Sequence, residues 1–242
     1  MPRSRVSLVP ATVSMATRSQ FHLQFELPFS ERRNMPDDLP FQWVLAGIVV
    51  LTTAIAGWNR HRARRSDEVI SPVAEGTLFR WLLRVSALGL WLATLGQLVV
   101  PGWCGWCRWP LPAAIRWAGV LAALAGAWGL HWSLASLGKN LTDTVVVRRE
   151  AQLVTTGAYH WVRHPYYVVA GWLMGAVTLL TANWLIGLTS LAVLGLLVWR
   201  TPQEEAELHA RFGQEYEDYC QRTGRFWPRR GTLGWSSRRT DG

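Results

Sequence analysis

Two groups of charged side chains in the sequence could carry out chemistry, because each lies beside a long apolar segment. The first group, in "GAYHWVRHPYY", contains Arg163 and His164. The second group, in "RTPQEEAELHARFGQEYEDY", contains the adjacent carboxylates Glu204 and Glu205. A charged group at the edge of a membrane is unfavourable unless it reaches water, pairs or has a function. A functional site is therefore sought first in these two clusters.

The apolar sequence between the two clusters predicts a helical hairpin. Residues 166–181 and 184–199 carry no charged side chain, and "TANW" between them supplies a polar turn with an interfacial tryptophan. A hairpin returns to the side of the membrane that it left. We therefore expect Arg163 and His164 to lie at the same membrane surface as the two glutamates, on neighbouring helices.

The sequence around Pro165 predicts the start of a helix. Proline suits the first helical turn, where its missing N–H would have had no partner. Arg163 and His164 then flank a helix N-terminus, whose positive dipole disfavours cations unless an anion lies between them. The alternative interpretation is an anchor, in which Arg163 reaches lipid phosphate and the neighbouring aromatic side chains form an interfacial belt.

The two glutamates have different expected roles. Thr201, Pro202, Gln203 and Glu204 fit a capping box, in which Glu204 would be structural. Glu205 has no such explanation, and an unpaired carboxylate beside an apolar helix face would be unfavourable. Opposite charges at a boundary between water and lipid suit a zwitterionic ligand, such as an amino acid or a phospholipid head group.

The rest of the chain predicts an all-α, multi-spanning membrane protein. The chain has 242 residues and a mean hydropathy of +0.08, but its apolar residues are concentrated in nearly uncharged segments. We expect a helical bundle in which the last two spans form the hairpin and a cytoplasmic amphipathic helix follows. The five predicted spans lie near Phe41–Trp58, Trp81–Val100, Ala113–Leu134, Tyr166–Thr181 and Trp184–Trp199.

The distribution of basic residues predicts the orientation. Arg60, Arg62, Arg64 and Arg65 follow the first span, so this loop should be cytoplasmic, with the N-terminus outside and the C-terminus inside. Both charged clusters then lie on the cytoplasmic side of an inner or plasma membrane. The net charge of +9 requires no nucleic-acid partner, because basic loops against anionic lipid account for it.

Four regions are expected along the chain. Residues 1–40 should form a poorly ordered extension, in which Met35 is an alternative start, and residues 41–136 three spans. Residues 137–228 should form the functional core with the hairpin and the C-terminal helix, and residues 229–242 a loose tail.

The order of the C-terminal sequence elements resembles the isoprenylcysteine carboxyl methyltransferase family and the related phospholipid methyltransferases. The similar elements are "SLGKNLTDTVVV", "LVTTGAYHWVRHPYY", the apolar hairpin and "EEAELHARFGQEYEDYCQRTGRFWP", in this order. They cover roughly the C-terminal two fifths of the chain. The first three predicted spans match only in number and kind.

The resemblance implies an integral membrane methyltransferase that uses S-adenosylmethionine and no metal. The implied acceptor is membrane-borne or lipophilic, namely the carboxylate of a prenylcysteine-like compound, with a phospholipid amine or a thiol as alternatives. A carboxylate or thiolate acceptor requires no general base, so none is assigned. The implied catalytic residue is Arg200, which would orient the anionic end of the acceptor. The implied cofactor-binding residues are Tyr159, Arg163, His164, Pro165, Tyr167, Glu204 and Glu205.

Two positions depart from the family pattern. Family members often have proline where this chain has Ala158, and a small residue where it has Val169. A valine at this position could narrow the approach of the cofactor.

Two other classes of function compete with a methyltransferase. Cys104 and Cys107 form a C-x-x-C sequence, which suits dithiol exchange, but the thioredoxin-like context of a redox motif is missing. On the predicted topology these cysteines face outward, so a simple disulfide is favoured. A non-catalytic membrane protein that binds lipid is the second competitor.

Overall fold

The computed structural model describes residues 38–63, 77–100, 104–138 and 152–229. Within these ranges the backbone forms helices, turns and two isolated bridges, and no extended strand. The predicted N-terminal extension up to residue 37, with Met35, lies outside the described residues. So do the tail from residue 230, the basic loop containing Arg64 and Arg65, and most of "SLGKNLTDTVVV".

Seven α-helices and one 3₁₀ turn are present in the described ranges. The hairpin consists of Pro165–Thr181 and Trp184–Phe212, and the short helix Gln214–Arg222 follows it directly. The helices are α1 Leu39–Ala63, α2 Thr77–Val99, α3 Ala113–Leu137, α4 Ala158–Trp161, α5 Pro165–Thr181, α6 Trp184–Phe212 and α7 Gln214–Arg222, and the 3₁₀ turn is Gly105–Cys107.

Four helices are long and apolar enough to cross a membrane, judged by length and composition: α1, α2, α3 and α6. The fifth apolar helix, α5, has 17 residues, at the lower end of the range of about 17–25 that spans a bilayer. Large side chains such as Trp43, Leu121 and Leu191 are exposed on these helices. The prediction of an all-α, multi-pass membrane bundle is confirmed, and the chain is a multi-pass integral membrane protein.

The predicted capping box at Thr201, and with it a separate helix after the last span, is wrong. Helix α6 continues to Phe212 with Pro202 inside it, so Thr201 is not an N-cap. The Thr201 hydroxyl is buried and donates to the carbonyl oxygen of Leu197 at 3.1 Å, which is an in-helix bond and not a capping bond. The predicted amphipathic helix is therefore the end of α6 followed by α7.

The core of the bundle forms where α3 and α5 pack closely against each other and against α1. Gly119 of α3 permits this approach, since a Cβ atom there would lie 2.7 Å from the backbone nitrogen of Leu180. Small residues allow such backbone contact between helices in lipid, where packing replaces the hydrophobic driving force. The buried residues of this core are Phe41, Leu45, Ile48, Val120, Ala123, Ala176 and Leu180.

The turn of the hairpin is fixed by polar contacts. Ala182 has a left-handed backbone, and the Asn183 side chain caps α6 by accepting from the nitrogens of Leu185 and Ile186. Asn183 also donates to the buried Gln97 side chain of α2 at 3.2 Å. We call this end of the bundle the turn end.

Cys104 and Cys107 are joined by a disulfide in the loop between α2 and α3. Both cysteines are buried, and the loop contacts the hairpin turn, where the nitrogen of Trp109 donates to the carbonyl oxygen of Ala182 at 2.8 Å. The disulfide thus belongs to the turn end, far along the hairpin from Arg163 and Glu204.

Candidate functional site

The chain enters the site at Gly157, which must be glycine for two reasons. Its φ is +64°, and a Cβ atom there would collide with the side chain of Ser136 at the end of α3. The hydroxyl of Ser136 instead accepts a hydrogen bond from the nitrogen of Ala158 at 3.1 Å. Proline has no N–H to make this bond. The departure from the family pattern at Ala158 therefore has a local physical reason.

The residues between α4 and α5 pair with the segment that follows α7. The nitrogen of Arg163 donates to the carbonyl oxygen of Gly224 at 2.9 Å, and that of His164 to the carbonyl oxygen of Arg225 at 3.1 Å. Phe226 lies 5.8 Å from the His164 ring, measured between centroids. We call residues 223–227 the C-terminal strap, since they cross the site and fix this backbone.

Glu205 is held by three cationic or polar side chains. Its Oε1 accepts from Arg163 Nε at 3.1 Å and lies 3.3 Å from His164 Nε2, and Arg225 of the strap binds both of its oxygens. Hydrogen bonding to Glu205 raises the pKa of Arg225, which is outside the spans. The Arg163 guanidinium also donates to the carbonyl oxygens of Cys220 and Thr223. Every group in this cluster is thereby fixed in orientation.

Glu204 points to a different set of partners. Its Oε1 accepts from the Tyr167 hydroxyl at 2.6 Å and lies 3.1 Å from Arg200 Nε, while its Oε2 lies 3.7 Å from His164 Nδ1. Arg200 and Glu204 are four residues apart on α6, so their ion pair spans the helical turn that contains Pro202. The His164 ring, stacked on Tyr167 with 5.5 Å between centroids, therefore lies between the two glutamates.

A cavity of about 610 Å³ opens beside these residues. This volume is typical of small-molecule sites, which measure roughly 300–1000 Å³. One wall is charged and aromatic, and the other is made by apolar side chains of α2, α3, α5 and α6. The predicted site residues that line the cavity are Tyr159, Arg163, His164, Tyr167, Arg200 and Glu204.

Two predicted cofactor-binding residues do not line this cavity. Pro165 is buried at the first position of α5, where it starts the helix as expected. Glu205 lies behind the wall and contacts Arg163 and His164, which do line it. Val169 is also absent from the wall, and a Cβ atom at Gly129 would be 3.1 Å from its side chain, so Val169 packs against α3.

Sequence reasoning missed several lining residues. All five tyrosines of the chain line the cavity, including Tyr166, Tyr216 and Tyr219, which were not predicted as site residues. All five lie within the two charged sequence stretches, which is a signal that the sequence contained. Arg60 of α1 also lines the cavity, and no local pattern distinguishes it from the other arginines of that loop.

The tyrosines outside the spans are neutral hydrogen-bonding groups. Burial raises the pKa of Tyr159, Tyr216 and Tyr219 above the ordinary value for a phenol. A neutral phenol can donate a hydrogen bond but cannot accept a proton as a base near neutral pH. These phenols can therefore bind and orient a ligand but cannot act as general bases. Among the described residues, no group of three or more His, Cys, Asp or Glu side chains could hold a metal ion.

Residues 118–210 match the model of the isoprenylcysteine carboxyl methyltransferase family. The resemblance to this family is confirmed. The matched segment includes Tyr159, Arg163, His164, Glu204 and Glu205, so it contains both charged clusters. The strap and α7 lie beyond it.

Curated relatives of the family are similar over part of their length. Protein-S-isoprenylcysteine O-methyltransferase of Rattus norvegicus is 33% identical over 126 residues, which are 47% of this chain and 42% of the relative. The Homo sapiens protein of the same name is 31% identical over 57% of this chain and 48% of the relative. The chain thus spans less than half the length of each relative.

Two further similarities differ in kind. The nickel-cobalt-cadmium resistance protein NccN of Alcaligenes xylosoxydans xylosoxydans is 27% identical over 59% of this chain and 64% of the relative. A solved structure of the eukaryotic intramembrane Ras methyltransferase ICMT is 22% identical, with a TM-score of 0.49, over 78% of this chain and 67% of that chain.

Proposed function

We propose that this protein is a membrane methyltransferase that transfers a methyl group from S-adenosylmethionine to the carboxylate of a prenylcysteine-like acceptor. The observation that carries the proposal is the meeting of Arg163, His164 and Glu204 at one cavity, inside the segment that matches the family. The names of the curated relatives supply the acceptor class. S-adenosylmethionine fits as methyl donor because its amino-acid end carries both charges that this wall complements.

The charged wall supplies the groups that would hold the donor. Glu204 is available to bind an ammonium group, since it lines the cavity beside its partners Tyr167, Arg200 and, at 3.7 Å, His164. Arg163 and His164 supply donors for the carboxylate. The aromatic rings of Tyr159 and Tyr166 suit a sulfonium cation, because the face of a phenol ring attracts positive charge.

The apolar wall is the side from which we propose that the acceptor binds. It includes Leu83 and Ala87 of α2 and Val193 and Leu197 of α6, so a prenyl chain would contact only hydrocarbon there. Arg200 lies where the charged and apolar walls meet, with its side chain 11% exposed. This position suits a cation that orients the anionic end of a lipophilic acid.

Catalysis in such a site requires orientation and the exclusion of water. The donor, when bound, supplies a methyl group on a sulfonium, and attack by a carboxylate neutralises charge. Residues that fix the two reactants about 3 Å apart contribute most of the rate. Removing water from the carboxylate by the apolar wall favours the same step. A carboxylate has no proton to lose, so His164 is proposed to bind and not to act as a base.

The site end of the hairpin is proposed to face the cytoplasm. Arg60 and Arg62 at the end of α1 and Arg222, Arg225 and Arg229 near the end of the chain share this end, as the positive-inside rule requires.

The proposal is tested with the full-length protein purified in detergent. We expect labelled S-adenosylmethionine to bind and its methyl group to appear as a base-labile ester on N-acetyl-S-farnesylcysteine. N-acetylcysteine, which has the same carboxylate without the prenyl chain, is the matched control acceptor and should react poorly. Binding of the donor with transfer only to phosphatidylethanolamine or to a free thiol would redirect the acceptor class.

The competing lipid-binding function predicts a different result. A protein that keeps only the scaffold would bind no S-adenosylmethionine, or would bind it equally well after His164→Ala and Glu204→Gln. Either result would remove the methyltransferase proposal. Activity that persists in Cys104→Ser would separately exclude a thiol-redox function.

A further inference from the structure

Helix α7 contributes two tyrosines to the cavity, and their hydroxyl groups can be compared directly. Tyr216 and Tyr219 lie on the same helix, one turn apart, with exposed fractions of 3% and 4%. Both line the cavity, and neither belongs to the segment that matches the family. Their rings contact each other, with 6.2 Å between centroids. They differ in what their hydroxyl groups bind.

The Tyr219 hydroxyl has a structural partner. It donates to the carbonyl oxygen of Tyr159 at 2.6 Å and thereby ties α7 to α4. The Tyr216 hydroxyl is equally buried, but within the described ranges it has no oxygen or nitrogen partner, and only the Cys220 thiol is near enough to bond it. A buried hydroxyl without a partner lowers stability, and the great majority of such groups in native proteins are paired. The fold therefore gives the Tyr216 hydroxyl a thiol as its neighbour and no strong hydrogen-bond partner.

The surroundings of this hydroxyl indicate which part of a ligand it would meet. Its electrostatic neighbours are Glu205, Cys220 and Arg163, so it lies at the charged end of the cavity and away from the wall that contains Leu83 and Ala87. The Cys220 thiol is a weak hydrogen-bonding group and cannot replace an oxygen partner. Since the phenol is neutral, it can donate to an oxygen or accept from an ammonium group.

We propose that the Tyr216 hydroxyl hydrogen-bonds the amino-acid end of the methyl donor, and that α7 is therefore part of the donor site. This inference rests on the proposed function. Helix α7 follows the segment that matches the family, and the proposal assigns a donor-binding residue to this helix. The sequence pattern alone assigned no role to it. Binding supplies an oxygen or nitrogen partner, which is stronger than the Cys220 thiol.

The test compares Tyr216→Phe with Tyr219→Phe in the full-length protein. Removing the hydroxyl of Tyr216 should weaken S-adenosylmethionine binding about 10- to 150-fold, the range for one hydrogen bond to a charged group. Without ligand, the thermal midpoint of Tyr216→Phe should equal or exceed that of the wild type, because the buried hydroxyl that is removed bonds at most a weak thiol partner. Tyr219→Phe should lower the midpoint, since it breaks a bond that exists.

A second ligand locates the bond. Binding of 5′-methylthioadenosine, which lacks the amino-acid end, should be the same in Tyr216→Phe and the wild type. An equal loss for both ligands would place the bond elsewhere and overturn the assignment. Unchanged S-adenosylmethionine affinity, or a lowered midpoint in Tyr216→Phe, would overturn the inference while the proposed function stands. Failure of the wild type to bind S-adenosylmethionine would overturn both.

Discussion

The two ends of the bundle each contain a cluster of arginine and carboxylate groups, and the clusters differ in whether they line the cavity. At the turn end, Asp38 pairs with both Arg108 and Arg116. Arg116 also donates to the carbonyl oxygen of Leu180 at 3.1 Å and lies 3.8 Å above the Phe41 ring. None of these charged residues lines the cavity described above. The turn-end cluster joins α1, α3 and the hairpin.

At the site end, the charges are divided between two carboxylates with different surroundings. Glu205 is surrounded by Arg163, His164 and Arg225, and resembles Asp38 in being fully engaged by cations. Glu204 lines the cavity. A carboxylate that lies away from the cavity can fix helices, while a carboxylate at the cavity wall can also exchange its partners for a ligand. The comparison thus separates the carboxylates that we propose to be structural from the one that we propose to bind the donor, and four substitutions test it.

The largest effect is expected from Glu204→Gln. The amide keeps the shape but loses the charge that would bind the donor's ammonium group, so the affinity for S-adenosylmethionine should fall about 10- to 100-fold. Isothermal titration in detergent measures this change. An affinity within twofold of the wild type would mean that Glu204 is structural after all and that the two ends do not differ.

Arg225→Ala should have the next largest effect, and on the rate more than on binding. Losing the strap arginine frees one side of Glu205 and loosens Arg163 and His164, so kcat should fall about 10-fold with a smaller change in KM. Arg225→Lys keeps the charge without the planar fork and should recover part of the loss. Equal losses in both variants and in thermal midpoint would indicate a purely structural strap.

Asp38→Asn is the matched control at the turn end. It removes the charge shared by Arg108 and Arg116 in a partly buried position, which should cost about 1–3 kcal/mol of stability. The thermal midpoint should therefore fall, while methyl transfer per folded molecule stays within twofold of the wild type. A loss of activity without a loss of stability would connect the two ends functionally.

Val169→Ala should have the smallest effect on the site. Its side chain packs on Gly129 and not on the cavity wall, so donor affinity should stay within twofold. The truncation should cost about 1 kcal/mol through lost packing. If the variant binds S-adenosylmethionine much more tightly, the valine narrows the site as the family pattern implied.

Much of the site could be predicted because a hairpin has simple geometry. Two apolar helices joined by the turn "TANW" bring Glu204 back to the end of the bundle at which Arg163 lies. In the structure both residues line one cavity. The capping box was wrong because its signals are local. The α6 helix continues through Pro202, and the buried Thr201 bonds back to Leu197 within it.

The sequence by itself determined the membrane class, the helical hairpin and the proximity of the two charged clusters, since these follow from hydropathy and connectivity. Only the tertiary structure decided the roles of the two glutamates. Adjacent positions on a helix point about 100° apart, and which direction meets a cavity depends on the neighbouring elements. Arg225 of the strap binds and fixes Glu205, whereas residues of α2 and α3 line the cavity together with Glu204.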